Sequence, residues 1–356
     1  MSKLKPELPG RLGNPNLTLA TDPRLDPILA DFFAQDDSMD FAEVSISADS
    51  SYEDVLAYVT ELEQGLDPFY EALYGSLPPV ANVTRRTEVI PGVDDNEILL
   101  FIHEPSNRQN AIPAVVHTHG GGMVFLSAAD LVYVRWRDEL AAMGMCVVGV
   151  EFRNGAGKLG NHPFPAGLND CASALRWAHQ QRQALDITNL IVSGESGGGN
   201  LSLATAIKAN QEGWISEIDG VYSCCPYISG SYHPAPPELT SLYENEDYML
   251  GGEMSQALLK AYDPTGEQAS NPLAFPYHAT RKDLTGLPPH TISVHELDLL
   301  RDEGLVYARN LRAAGVRAVS RTVNGTPHGG DTDYLSLIPD IYYSTIRDIY
   351  GFASAL

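Results

Sequence analysis

A chain of 356 residues with 44% hydrophobic and 19% charged side chains has the makeup of a globular protein that can bury one large core. Its 23 basic against 46 acidic residues give a formal charge of −23, a field that repels phosphate backbones and anionic lipid, so neither nucleic acid nor a membrane is an expected partner. No stretch approaches the ~20 consecutive apolar residues of a membrane span, and no apolar run follows the two N-terminal lysines as a secretory signal requires, so the expected location is cytoplasmic.

Residues 1 to 80 are rich in Pro, Asp and Leu, with helical periodicity over 26–33 and 52–64 and little strand-like alternation. They read as an N-terminal arm contributing to a cap. The texture changes at Val83. Segments 85–90 and 97–103 bracket the turn signal Pro91-Gly92-Val93-Asp94-Asp95-Asn96 and predict an antiparallel hairpin.

Short apolar runs of the buried parallel kind follow at 114–116, 145–150, 190–192, 221–224 and 290–294. Amphipathic helical patterns at 132–143, 168–185, 200–211 and 303–314 alternate with them. This order is that of an α/β fold with a mostly parallel central sheet and helices on both faces. Residues 226–282 break the rhythm with Pro234, Pro236 and Pro237, clustered Tyr and Glu, and one helix-like piece at 253–262. The expected division is an arm over 1–80, a first part of the catalytic core over 81–225, a cap insertion over 226–282 and the rest of the core over 283–356. Arm and insertion together would cover the crevice at the strand C-termini, where open α/β sheets bind ligands.

Two glycine-rich signatures lie in this frame. His119-Gly120-Gly121-Gly122 follows the strand ending near His117, and Gly194-Glu195-Ser196-Gly197-Gly198 follows the strand at 190–192 and opens the next helix. With 31 glycines in the chain, a lone Gly-x-Ser-x-Gly arises readily by chance, so the strand-turn-helix context carries the argument. Ser196 is then the expected nucleophile on a sharp strained turn, with small flanks because strand and helix converge there. The backbone amides of Gly121, Gly122 and Gly197 are the expected oxyanion donors.

A serine hydroxyl needs a base to take its proton and an acid to orient that base. Downstream of Ser196, Asp298 closes the strand-like run His295-Glu296-Leu297, whereas Asp302 and Glu303 read as acids of the following helix N-terminus. After the run 318–323 the only histidine left is His328, which makes it the expected base. His233, His278, His290 and His295 read as surface or packing residues. No metal-ligand spacing appears, and neither metal nor organic cofactor is expected. Cys146, Cys171, Cys224 and Cys225 read as reduced core thiols. Met123, Val124 and Phe125, just past the oxyanion loop, and Tyr227 are the candidate substrate-lining residues.

From about Ile112 onward the chain resembles the hormone-sensitive-lipase-like group of α/β-hydrolase carboxylesterases. The resemblance rests on His-Gly-Gly-Gly, Pro163-Phe164-Pro165-Ala166 with Asp170, Gly-Glu-Ser-Gly-Gly, Asn271-Pro272-Leu273, Leu287-Pro288-Pro289 and the segment from Glu296 to Gly304. The long arm and the Asp298 and His328 segments are most similar to the bacterial brefeldin A esterase-like branch. The group usually has Asp-Ser-Ala where this chain has Glu195-Ser196-Gly197, and Asp-Pro-Leu where it has Asp298-Leu299-Leu300. Neither change removes a triad group or a backbone donor. The resemblance implies a serine carboxylesterase acting on small to medium esters through an acyl-enzyme. The alternatives are an acyltransferase or a selective lactonase with the same triad, and, less favoured, a non-catalytic ligand receptor. The partner is a small-molecule ester, and a homo-oligomer is compatible with the sequence.

Overall fold

The computed structural model describes residues 8–35 and 46–356. Eight strands form one sheet in the order β1-β2-β4-β3-β5-β6-β7-β8. They are β1 (Val83–Pro91), β2 (Glu97–Pro105), β3 (Ile112–Thr118), β4 (Cys146–Glu151), β5 (Ile187–Glu195), β6 (Gly220–Cys224), β7 (His290–Leu297) and β8 (Ala318–Pro327). β1 and β2 form the antiparallel hairpin, β2 runs antiparallel to β4, and every pairing from β4 through β8 is parallel.

Successive side chains of a strand point to opposite faces, and the central strands are apolar on both. Val116, Val148 and Val192 face one core with the helices Ala166–Gln180, Gly197–Glu212 and Arg301–Ala313. Val115, Val147 and Ile191 face the other with the helices Leu131–Met143 and Pro339–Ser354. The last of these went unread in the sequence. Its apolar residues Tyr342, Ile346, Ile349 and Ala353 fall at helical spacing on one buried face. All four cysteines are buried and unpaired.

The helix expected at 52–64 runs ten residues further, over Tyr52–Tyr74, through Gly65 and Pro68. A capping box of Ser51 and Asp54 starts it. Glycine and proline inside a helix cost about 1 and 3 kcal/mol against alanine, which is why the reading stopped short. Tyr70, Leu73 and Tyr74, packed into the second core, outweigh that cost. The same helix carries buried Glu63, whose carboxylate accepts the amides of Leu126 and Lys158 at 2.7 Å each.

The segment between β6 and β7 contains the helix Gly252–Tyr262 and turns of helix at Ser241–Glu244 and Arg281–Leu284. It meets the N-terminal residues at several points. Ala48 donates its amide to Glu253 at 2.8 Å, the Tyr58 hydroxyl reaches the Met254 sulfur at 3.2 Å, and Arg24 pairs with Glu244. No helix among the described residues is long and apolar enough to cross a membrane.

Candidate active site

Ser196 stands between β5 and the helix Gly197–Glu212 with φ 55° and ψ −117°, a backbone conformation that costs a non-glycine residue of order 1–3 kcal/mol. Hydrogen bonds on both sides hold it there. Its amide donates to the Cys224 carbonyl at 3.0 Å, and its own carbonyl accepts from Asn200 at 3.0 Å and Tyr227 at 3.1 Å. A Cβ on Gly198 would lie 1.9 Å from the Thr118 carbonyl oxygen, so only glycine lets the elbow seat against the end of β3.

That close approach brings two segments of backbone together. Position 197 lies so near the loop at 120–123 that a Cβ there would sit 2.6 Å from the Gly122 nitrogen. The loop turns through three successive left-handed residues, Gly121, Gly122 and Met123, at φ 90°, 62° and 62°. The Gly120 amide is engaged, donating to Glu195 Oε1 at 3.0 Å. The amides of Gly121, Gly122 and Gly197 bond to no protein acceptor among the described residues. Glu195 is thus a clamp between elbow and loop, since its Oε2 also meets His117 Nε2 at 3.1 Å. Sequence reading treated it only as a departure from the usual aspartate. His119 is buried and stacked on Phe152 at 4.1 Å, and burial pushes its imidazole down to about 3, so it is neutral and donates from Nδ1 to the Gly120 carbonyl at 2.9 Å.

Asp298 follows β7 and His328 follows β8, and their parallel pairing brings the two loops side by side. Asp298 Oδ2 accepts from His328 Nδ1 at 2.9 Å, and its Oδ1 accepts from the Leu300 amide at 2.9 Å. This bond leaves His328 Nε2 as the free nitrogen. Burial alone would raise the Asp298 carboxyl, but His328 and His295 outweigh it and hold the group well below the usual carboxylate range. His328 is opposed by burial in the same way, yet Asp298 raises it well above an ordinary imidazole.

His295, read from sequence as a surface or packing residue, belongs to this constellation. It is fully buried behind the acid, its Nδ1 3.9 Å from Asp298 Oδ2 and its Nε2 2.7 Å from Asp331 Oδ1. Asp331 Oδ2 in turn accepts the Thr345 hydroxyl at 2.7 Å. Cys225, His295 and Asp298 place a thiol, an imidazole and a carboxylate within 4.8 Å of one another, the one such cluster among the described residues. Because Asp298 is already committed to His328 and Leu300, these groups serve as the support behind the acid. His233, His278 and His290 stay outside the site: His233 pairs with Glu253, His278 bonds the Ser229 carbonyl, and His290 is buried against the Pro288 carbonyl.

Asp302 and Glu303 do lie in the first turn of the helix Arg301–Ala313. Their main engagement is with the inserted segment. Glu303 accepts the amides of Ile228 at 2.7 Å and Ser229 at 3.1 Å, and Asp302 accepts the Thr240 hydroxyl at 2.7 Å. Burial pushes the Glu303 carboxyl up to about 8, against those donors.

Ser196 and His328 open onto one cavity, together with Gly120 to Gly122, Phe125 and Tyr227. Met123 and Val124 do not line it. Both turn into the core, at 1% and 0% exposure, where the left-handed turn of the loop directs them. Much of the remaining wall comes from the two regions with the weakest sequence signal, with Leu62, Leu66 and Tyr70 of the helix Tyr52–Tyr74, and with Met249, Leu250, Met254, Ser255 and Leu258 after β6; Leu126, Tyr133 and Asp333 also line it.

Residues 115–331 match the model of an alpha/beta hydrolase fold family. The chain is 30% identical to the carboxylesterase NlhH of Mycobacterium tuberculosis over 285 residues, 79% of this chain and 85% of that one. Among solved structures it is similar to brefeldin A esterase, described as a bacterial homologue of human hormone-sensitive lipase, with a TM-score of 0.93, 42% identity, and coverage of 97% of this chain and 98% of that one. Esterase Est22 follows with a TM-score of 0.85 and 34% identity over 95% of this chain and 99% of that one. With the elbow, the glycine loop and the acid-histidine pair on such a sheet, the chain belongs to the α/β-hydrolase family, in its hormone-sensitive-lipase-like group, and is a carboxylic ester hydrolase.

Proposed function

We propose that Ser196, His328 and Asp298 form the catalytic triad and that Gly121, Gly122 and Gly197 hold the oxyanion. The observation that carries this reading is the set of three unengaged amides around the strained serine, in the same cavity as a histidine whose other nitrogen is bonded to a buried carboxylate. His328 Nε2 takes the Ser196 proton as Oγ attacks the ester carbonyl, and the charge that develops on the carbonyl oxygen falls to the three amides. His328 then returns the proton to the leaving alcohol. Water, activated by the same imidazole, releases the acid from the acyl-enzyme. No step calls on a metal or organic cofactor.

The Glu195 clamp gives this reading an inexpensive test. Glu195→Ala frees the Gly120 amide and lets the loop shift, so kcat is expected to fall about tenfold or more through misplaced donors, with KM changing less. Steady-state kinetics on p-nitrophenyl butyrate measure it, and an unchanged kcat argues against the loop as the oxyanion site.

The N-terminal arm and the segment between β6 and β7 act as a cap. Their support is the apolar wall they supply to the cavity at Ser196, Leu62 and Leu66 from one and Met249, Met254 and Leu258 from the other. A wall of this kind confines the acyl chain. Over a p-nitrophenyl series from acetate to decanoate, kcat/KM is expected to peak among the short chains. A steady rise to decanoate rejects the confinement. The four unpaired buried thiols fit a reducing compartment, the cytoplasm.

A further inference from the structure

Most of the cavity at Ser196 is apolar, walled by Leu62, Leu66, Leu126 and Leu258. One end is not. Tyr70 and Tyr133 line it while only 7% and 4% exposed, and neither hydroxyl bonds to any described residue. Asp333 lines the same end. Its Oδ1 accepts the Thr332 hydroxyl at 3.0 Å, and its Oδ2 has no partner among the described residues. None of these atoms is sealed off from the cavity, so three polar groups without a protein partner in the lining of an otherwise greasy cavity mark a place where a polar ligand can bond.

Their position says which part of a substrate they meet. Asp333 lies beside the base loop, since a Cβ on Gly329 would come 2.8 Å from its Oδ2. The Tyr133 hydroxyl lies at the oxyanion loop, 2.8 Å from where a Cβ on Gly120 would be. The leaving alcohol must sit against His328 to receive its proton, which turns the alcohol portion of an ester toward this end. Burial, helped by the nearby Glu195 carboxylate and opposed by the Thr332 hydroxyl, pushes Asp333 up to about 7. Near neutrality all three groups can therefore donate as well as accept. A substrate hydroxyl, which also does both, satisfies them; an alkyl group leaves them unpaired, and a carboxylate is repelled whenever Asp333 is ionised.

We propose that Tyr70, Tyr133 and Asp333 form a polar subsite for the leaving group, and that the preferred substrates are esters whose alcohol carries a second hydroxyl close to the scissile bond. This rests on the triad reading above. The test compares 2-hydroxyethyl butyrate with propyl butyrate, which replaces the hydroxyl by a methyl of similar size, by titrating the butyrate released. The wild type is expected to favour the hydroxylated ester by about tenfold in kcat/KM, as a site built to bond a hydroxyl discriminates against the analogue lacking it. Tyr70→Phe, Tyr133→Phe and Asp333→Ala are each expected to draw the ratio toward one.

The wild-type ratio tests the proposal without any variant, so a variant that fails to fold does not shelter it. A wild type that hydrolyses both esters equally, or folded variants that all keep the wild-type ratio, overturns the subsite and leaves the esterase reading intact. Hydrolysis of neither ester, or hydrolysis that survives Ser196→Ala, overturns the triad reading and the subsite with it.

Discussion

Ser196→Ala is expected to lower turnover of a p-nitrophenyl ester by at least about 10⁴-fold while leaving the fold intact. The backbone at 196 is held in a strained conformation by bonds to Cys224, Asn200 and Tyr227, and these involve main-chain atoms that alanine keeps. The deleted Oγ is the atom proposed to attack. What remains is the oxyanion loop and the cavity, which together leave only the residual acceleration that binding and charge stabilisation supply. Single-turnover kinetics with circular dichroism on the same sample decide the matter. A folded variant that retains more than a few per cent of the activity would remove Ser196 from the mechanism.

Asp298→Asn is expected to cost about 10³- to 10⁴-fold in kcat and to move the acid limb of the pH profile. The carboxylate accepts from His328 Nδ1 at 2.9 Å, which fixes the tautomer and stabilises the imidazolium formed during attack. Asparagine can offer an N–H in that place and favour the wrong tautomer. The sign of the pH effect follows from the same contact. As the proposed base His328 works only when neutral, and Asp298 holds its imidazole well above the ordinary value, so wild-type kcat/KM is expected to rise with pH through a limb lying above about 6.5. Below that limb the imidazole is protonated and activity is lost. Removing the negative charge takes away the main group that opposes burial, which disfavours the charged ring, and leaves Cys225 as the lesser one, so the limb moves to lower pH in the variant. A wild-type limb at or below the ordinary histidine value, or a limb unmoved by the substitution, contradicts the assigned pair.

How much of this was legible in advance differs from one element to the next. The elbow and the glycine loop were legible because their chemistry is local. A serine at a strand-to-helix turn and glycines that let backbone approach backbone leave marks within five residues of sequence. His328 is put forward as the base by chain order, since no other histidine follows Asp298. The strands from β3 to β7 were legible because burial on both faces makes their apolar runs continuous.

His295 was misplaced for a different reason. A histidine in a strand reads as packing until its partner is known, and Asp331, 36 residues on, meets it only because β7 and β8 pair in parallel. Glu303 shows the same limit, since its position at a helix N-terminus was evident but the amides it accepts belong to a segment 74 and 75 residues away. Met123 and Val124 went astray on one dihedral. Sequence neighbours of an oxyanion loop would line its cavity in an extended chain, and the left-handed turn at Met123 sends them into the core instead.

By itself, then, the amino-acid sequence determined the α/β class of the sheet and the expectation of ester chemistry, and put forward the order in which nucleophile, acid and base are proposed along it, because each depends on periodicity or on contacts between near neighbours. Tertiary structure alone decided which amides are left free for an oxyanion, which buried groups stand behind Asp298, and how Tyr70, Tyr133 and Asp333, drawn from three separate helical segments, come to face one cavity. Those are relations between residues far apart in the chain, and only the packing of the strands and helices brings them within reach of a hydrogen bond.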